Sequence, residues 1–408
     1  MEFLHTKLAC GLEIVGELNP SAVSASVEFL IRAGARDESP EEAGISHFIE
    51  HLLFKGDTTR TADDVNRFFD DRGADYNACT AEEATVYYAS VPPESLIPVT
   101  RLWAELLQPA LRPEDIEPER QVILEEIRMY DDMPPFGMDE KARAIFFGDH
   151  PLAGSVAGTA ETVSAITPEQ LRAYHRTHYT ADRTLLAVTG KFDFDEVVRT
   201  AEELCSELEP SGRERSFRPA TTTTGRHDLI RDSAQQSYAI QFADAPDALD
   251  DRRFAAKILA TLIGDESGSR FFWELSDPGL AESVSMSHCE HLDAGCFITW
   301  MSCDPEEMES NLDILREVYE SVRSDGFDDA ELLRARNKVA SQIVLAGERP
   351  RGRLFAVGGS WLQQHRYYSI RDELEILRGI TMADLESLLR DFPPDRNLTV
   401  TIGAGAKH

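Results

Sequence analysis

One short pattern occurs twice in this chain and constrains its fold more than any other. Thr167-Pro168-Glu169-Gln170-Leu171 has the composition of a helix start, and Arg183-Thr184-Leu185-Leu186-Ala187-Val188-Thr189-Gly190 that of a strand closed by glycine. The same order returns near the C-terminus, with Thr381-Met382-Ala383-Asp384-Leu385 followed by Arg396-Asn397-Leu398-Thr399-Val400-Thr401-Ile402-Gly403. Asp182-Arg183 and Asp395-Arg396 hold matching places. A repeat at so long a period implies two related α/β halves. The length agrees, because 408 residues exceed one ordinary core and suit two domains of about 200 each. Between the repeats, Glu209 to Gly225 is rich in Pro, Gly, Ser, Arg and Thr, including four consecutive threonines, and reads as a linker. The expected organisation is a domain over 1–208, a linker over 209–225 and a second domain over 226–408.

Apolar residues make up 42% of the chain, enough to fill two cores, and the net charge of -32 argues against nucleic acid as a partner. Met1 to Asn19 carries Glu2, Lys7, Glu13 and Glu17 and has no apolar run of signal-peptide length. No stretch approaches a membrane span. The six cysteines are scattered without paired spacing, as expected of reduced thiols. A cytoplasmic protein that engages neither nucleic acid nor membrane is expected.

Gly11 to Gly16 and Ser24 to Ala33 read as strands, as do Asp75 to Thr80 and Ala84 to Val91, rich in β-branched and aromatic residues. Thr61 to Arg72 reads as a helix stopped at Gly73, and Leu96 to Leu107 as another. Pro118 is expected to begin a helix running to Tyr130 with Val122, Ile123 and Tyr130 on its core face. Glu126 stands one turn from each of these and points inward, whereas Glu125 has a more polar setting. A carboxylate turned into a core needs a partner, and an arginine or a metal would serve. Glu119 lies two turns earlier on the same face.

The chemistry concentrates in His47-Phe48-Ile49-Glu50-His51, within a helix expected to open near Ser39-Pro40-Glu41-Glu42 and to end at Lys55-Gly56. His47 and His51 are four apart, so both imidazoles leave one face, and Glu50 shares it. Two neutral imidazoles make half of a tetrahedral zinc site, and a carboxylate beside them can hold and deprotonate a metal-bound water. The order H-x-x-E-H inverts the common zinc-protease motif. The helix Phe254 to Ile263 holds the corresponding place in the second half and has no histidine, so one metal per chain is expected. His288-Cys289-Glu290-His291 is read as a turn with incidental ligand types.

With the His helix, Asn77-Ala78-Cys79-Thr80, Glu119-Arg120 and Glu126 together, the sequence resembles the pitrilysin/insulinase family of inverted-motif zinc peptidases, in particular its short bacterial and mitochondrial-processing-peptidase-like members. The resemblance runs nearly end to end, through Arg32-Ala33-Gly34, His150-Pro151-Leu152, Gly158-Thr159, Ile166 to Gly190 and Gly279-Leu280-Ala281. It implies an α+β fold of two related α/β domains, each a mostly antiparallel sheet with helices packed on it, forming a half-clamshell chain. It implies that His47, His51 and Glu126 ligate one Zn2+, that Glu50 is the general base and that Glu119 buttresses the site. Asn77 and Ala78 match the edge strand that, in relatives, pairs with an extended peptide substrate.

One departure bears on partners. Active relatives carry an Arg and, seven residues on, a Tyr in the second half, where this chain offers Ser276 and Glu282 in a segment one residue short. The resemblance therefore implies a zinc metalloendopeptidase working in a two-subunit chamber. Its dimer would be a heterodimer if a sister chain lacking the zinc motif supplies the Arg/Tyr pair. The alternative is a weakly proteolytic or non-proteolytic zinc-binding assembly subunit.

Overall fold

A computed structural model describes residues 1–132, 137–205, 210–213, 215–230 and 236–403. Glu209 and Glu214 of the expected linker, and residues 404–408, lie outside the described residues. The chain divides into two compact units, the first made of Met1–Met129, Gly154–Ser216 and Leu345–Ser369, the second of Tyr130–Ala153, Phe217–Val344 and Ile370–His408. Five helices position the sheets and the site: α1 (Ile45–Leu53), α2 (Pro113–Asp132), α3 (Met138–Phe147), α4 (Arg253–Gly264) and α5 (Pro350–Gln364).

The first unit's sheet comprises β1 (Glu2–Lys7), β2 (Glu13–Leu18), β3 (Ala25–Ile31), β4 (Asp75–Thr80), β5 (Thr85–Val91) and β6 (Thr184–Gly190), in the order β1-β2-β6-β3-β5-β4. All neighbours are antiparallel except β2 and β6. Every residue of β3 and β6 is buried, so both faces of the sheet need cover. On one face α1 and the helix Leu96–Leu106 enclose Phe29, Phe48, Phe69, Tyr87 and Trp103. The other face is covered from far along the chain by α5, whose Leu354 and Val357 meet Val15, Leu30, Leu185 and Ala187. Arg353 of α5 grips the Glu17 carboxylate at 2.9 and 2.7 Å with almost no solvent exposure on either side chain. Removing one partner would leave the other charge buried and unpaired, which is strongly destabilising.

The second unit repeats the plan with β7 (Gly225–Ile230), β8 (Ser237–Ala245), β9 (Ser283–Glu290), β10 (Gly295–Cys303) and β11 (Asn397–Gly403), in the order β7-β11-β8-β10-β9. Here too one neighbouring pair, β7 and β11, is parallel and the rest antiparallel. The strands β6 and β11, which carry the sequence repeat, occupy matching interior positions. Helix α3 covers one face, its Met138, Ala142, Phe146 and Phe147 clustering with Ile240, Phe242, Leu398 and Val400.

These units differ from contiguous domains over 1–208 and 226–408. Residues 130–153 belong with the second sheet and 345–369 with the first, because each sheet has two apolar faces and takes one cover from the other half of the sequence. The described part of the expected linker is also tied down. Ser211 and Gly212 donate backbone N–H groups to Asp182, both at 2.8 Å, and Arg215 holds Asp37 at 3.0 and 2.5 Å.

Local boundaries shift as well. α2 begins at Pro113 and carries Pro118 inside it. Val122 is 51% exposed while Ile123 is fully buried, so the inward stripe runs to one side of Val122. Residues 288–290 continue β9 rather than form a turn. α1 opens at Ile45, not near Pro40: Pro40–Glu42 is a separate turn of 3-10 helix, and Gly44 caps α1 at φ 92°. That φ favours glycine, and a Cβ there would lie 2.6 Å from the Ala157 carbonyl oxygen.

Candidate metal centre

The helix N-terminus that carries the histidines is held by a residue outside its motif. Glu38 accepts hydrogen bonds from the Gly44 and Ser46 backbone N–H groups at 2.7 and 2.8 Å. Burial pushes its carboxyl up to about 8, and the two donors pull the other way. Carboxyl oxygens at this place satisfy otherwise orphaned N–H donors of the first turn. Nothing local in the sequence marks Glu38 for this, since the contact spans an intervening turn.

From α1, His47 and His51 project side by side, with Nε2 atoms 3.2 Å apart. Glu126 enters from α2, its Oε2 3.8 Å from His47 Nε2 and 3.6 Å from His51 Nε2. Among the described residues these three are the group whose ligand atoms converge, all within 4.8 Å of one another. Ligand atoms about 2.0–2.1 Å from a tetrahedral zinc stand about 3.3 Å apart, so the observed edges fit the ion with modest closure. Neighbouring Glu125 is exposed and paired with Arg128.

Glu119, the one buried acid of α2 among the described residues, accepts from His51 Nδ1 at 2.9 Å and from Lys55 at 2.5 Å. Fixing the hydrogen on Nδ1 leaves the Nε2 lone pair of His51 facing the cluster, the orientation a metal requires. Burial alone would raise the Glu119 carboxyl, but His51 and Lys55 hold it below its ordinary value. Burial and the neighbouring His51 push His47 down to about 4, so its imidazole is neutral at neutral pH. His51 is pulled down by burial and raised on balance by Glu119 and the nearby carboxylates. Lys55 was legible only as a helix-end residue.

Glu50 is buried and accepts a hydrogen bond from Thr80 Oγ1 at 2.6 Å. Burial raises its carboxyl, the Thr80 bond lowers it, and it lies near enough to His51 and Glu126 to feel both charges. Thr80 comes from β4, the outer strand of the sheet, which among the described residues pairs with β5 alone. Ala78 shares the Thr80 face of β4 and is buried, whereas Asn77 is exposed and its side chain accepts from the Ala78 N–H at 2.9 Å. The period-two spacing from Ala78 to Thr80 is the signal that would have singled out Thr80.

In the second unit, Ser276 ends the wide helical turn Phe272–Ser276, and Glu282 precedes β9 with its carboxylate accepting from Gln236. His288 of the other ligand-rich stretch donates from Nε2 to the Pro246 carbonyl at 2.8 Å. No helix of the described residues is long and apolar enough to cross a membrane.

Comparison with known proteins agrees with this geometry. The family described as "Insulinase (Peptidase family M16)" matches residues 13–160, and "Peptidase M16 inactive domain" matches residues 165–339. An uncharacterized zinc protease of Mycobacterium leprae is 34% identical over 407 residues, covering 98% of this chain and 91% of that protein. An uncharacterized zinc protease of Bacillus subtilis is 26% identical, covering 97% of each. The crystal structure of a protease from Helicobacter pylori has the same fold, with a TM-score of 0.90 at 20% identity over 98% of this chain and 99% of that one.

Proposed function

The chain belongs to the insulinase family of M16 zinc metallopeptidases, and from that premise we propose that it is an endopeptidase cleaving extended peptides or small unfolded polypeptides. The observation that carries this reading is the convergence of His47, His51 and Glu126 beside a buried Glu50. His47, His51 and Glu126 would hold one zinc per chain, leaving a fourth position open. When bound, zinc supplies Lewis acidity toward a water and toward the scissile carbonyl. Glu50 takes a proton from the attacking water and returns it to the leaving amine, a role suited to a carboxyl raised by burial. Glu119 acts through His51 and is a positioning residue. The free side of β4, with Asn77 and Ala78, would receive the peptide as an added strand, a recognition mode in which main-chain hydrogen bonds supply much of the affinity.

Metal analysis of two neighbouring variants tests the ligand set. Glu126→Gln should empty the site and Glu125→Gln should leave it loaded, with both proteins folded. Loss of metal from Glu125→Gln alone would remove the proposed assignment.

Ser276 and Glu282 favour a second component. The chamber is completed, on this reading, by a partner chain carrying the Arg/Tyr pair in place of Ser276 and Glu282, in a cytoplasmic heterodimer. The isolated chain should then cleave an unstructured reporter peptide slowly and gain activity when such a chain is added. The same two residues support the alternative of a zinc-binding assembly subunit, for which no addition would raise chelator-sensitive cleavage. Full activity of the isolated chain would dispose of both the heterodimer and the assembly role.

A further inference from the structure

The hairpin β9–β10 at the edge of the second sheet places two cysteines directly opposite each other. Cys289 and Cys296 are register partners in the antiparallel ladder. Opposed residues in such a ladder have Cα atoms about 4.5–5.5 Å apart, inside the range of about 4.4–6.8 Å that a disulfide spans. The two thiols are near enough to act on each other's ionisation, and the charge of the Arg143 guanidinium of α3 acts on both. Cys296 is buried in the cluster beneath α3, whereas Cys289 is half-buried.

From this geometry we infer that Cys289 and Cys296 form a reversible redox site, taking a small-molecule disulfide such as oxidised glutathione as its oxidant. The Cys289 thiolate attacks one sulfur of that disulfide, forming a mixed disulfide and expelling one glutathione thiolate. Cys296 then loses its proton and attacks the Cys289 sulfur, expelling the second. Two protein thiols are oxidised to one disulfide, and one glutathione disulfide is reduced to two thiols. The roles follow from the surroundings. The adjacent Cys296 thiol and the charge of Arg143 lower Cys289 toward the range in which a thiol attacks well at neutral pH. Burial and the adjacent sulfur hold Cys296 up, so it serves as the resolving thiol.

The other cysteines sharpen the contrast. Cys79 is exposed as a residue, yet enclosure of its thiol, with the charges of Glu50 and Glu28, pushes it up to about 11. Burial pushes Cys205 up to about 12 and raises Cys303. Because Arg143 favours the Cys289 thiolate and the charges of Glu50 and Glu28 disfavour that of Cys79, Cys289 should alkylate faster than Cys79 at pH 7.

The test uses the full chain, reduced and then equilibrated without oxygen across a series of glutathione to glutathione-disulfide ratios, acid-quenched, alkylated and peptide-mapped by mass spectrometry. The expected product is a Cys289–Cys296 link that forms first along the series and is reversed by reductant. Cys296→Ser should accumulate a glutathione adduct on Cys289, and Cys289→Ser should leave Cys296 unmodified. A pair that stays reduced at the most oxidising ratio overturns the inference. So does oxidation that begins at Cys79 rather than at Cys289. The wild-type measurement decides the matter even if a serine variant fails to fold.

Discussion

The two sheets share one strand plan and differ at the corner where a helix meets the outer strand. In the first unit α1 turns His47, Glu50 and His51 toward that corner, and Glu50 takes a hydrogen bond from Thr80 on β4. In the second unit the corresponding helix α4 has ten of its twelve residues buried, and it approaches β9 so closely that a Cβ on Gly264 would lie 2.5 Å from the Met286 nitrogen. Beside it lies a cavity of about 610 Å³ lined by Lys257, Thr261, Ser285, His288 and Gln342 among others, with Lys257 held by Glu290 at 3.2 Å. One frame thus seats its helix against the outer strand by close backbone approach, and the other gathers two histidines and a glutamate there. Strand order and buried faces tolerate both solutions, so chemistry is set by a handful of side chains at one corner rather than by the fold.

The most direct way to break this comparison is to make the first corner as inert as the second with the smallest possible change. Glu50→Gln keeps the Thr80 contact and all three converging ligands. It should retain zinc and thermal stability while lowering peptide cleavage by about two to four decades, the usual contribution of a general base. Half-activity in that variant would mean that Glu50 does not move the proton.

A smaller effect is expected one contact further out. Glu119→Gln leaves a hydrogen-bond acceptor for His51 but removes the negative charge that Lys55 and His51 share. Zinc affinity should fall about 10–100-fold, the range seen when a carboxylate behind a metal-bound histidine is lost. Competition against a chromophoric chelator would read the change. Unaltered affinity would show that the His51 orientation is fixed by α1 alone.

How much of this was legible in the sequence depends on how local the determinant is. The His-Glu-His spacing, β4, β5 and the preference for Glu126 over Glu125 follow from side-chain periodicity over one or two turns, and the structure has those residues where the spacing puts them. The repeat around Gly190 and Gly403 likewise corresponds to strands in matching sheet positions. The start of α1 was not legible, because Gly44 and the reach of Glu38 depend on a turn folding first. The exchange of α3 and α5 between halves was not legible either. Which sheet each of them covers is decided by contacts with strands far away in the sequence. Val122 failed for a simpler reason: an apolar residue at the margin of a helical stripe can fall on either side of it.

The last comparison concerns the central strands, each of which carries a long polar side chain into the interior. Gln241 of β8 is satisfied at both ends, its Nε2 donating to Thr399 Oγ1 at 3.1 Å and its Oε1 accepting from Tyr319 at 3.0 Å. Glu28 of β3 has no solvent exposure and, among the described residues, no hydrogen-bond partner for either oxygen, and it lies under α5, where a Cβ on Gly358 would meet its Oε1 at 2.0 Å. Burial pushes its carboxyl from 4.5 up to about 8. A carboxyl raised on folding binds a proton that the unfolded chain has released, so its contribution to stability is fully present below about pH 4.5. It is lost as pH rises from there through about 8. The unfolding temperature of wild type relative to Glu28→Gln should therefore fall across that window, by on the order of a few degrees per pH unit for units of this size. Above pH 8 the glutamine variant should be the more stable of the two. Calorimetry of both proteins from pH 5 to pH 9 reads the difference directly. A constant offset at every pH would show that the Glu28 carboxyl ionises alike in the folded and unfolded chain, as a solvated carboxyl beneath α5 would.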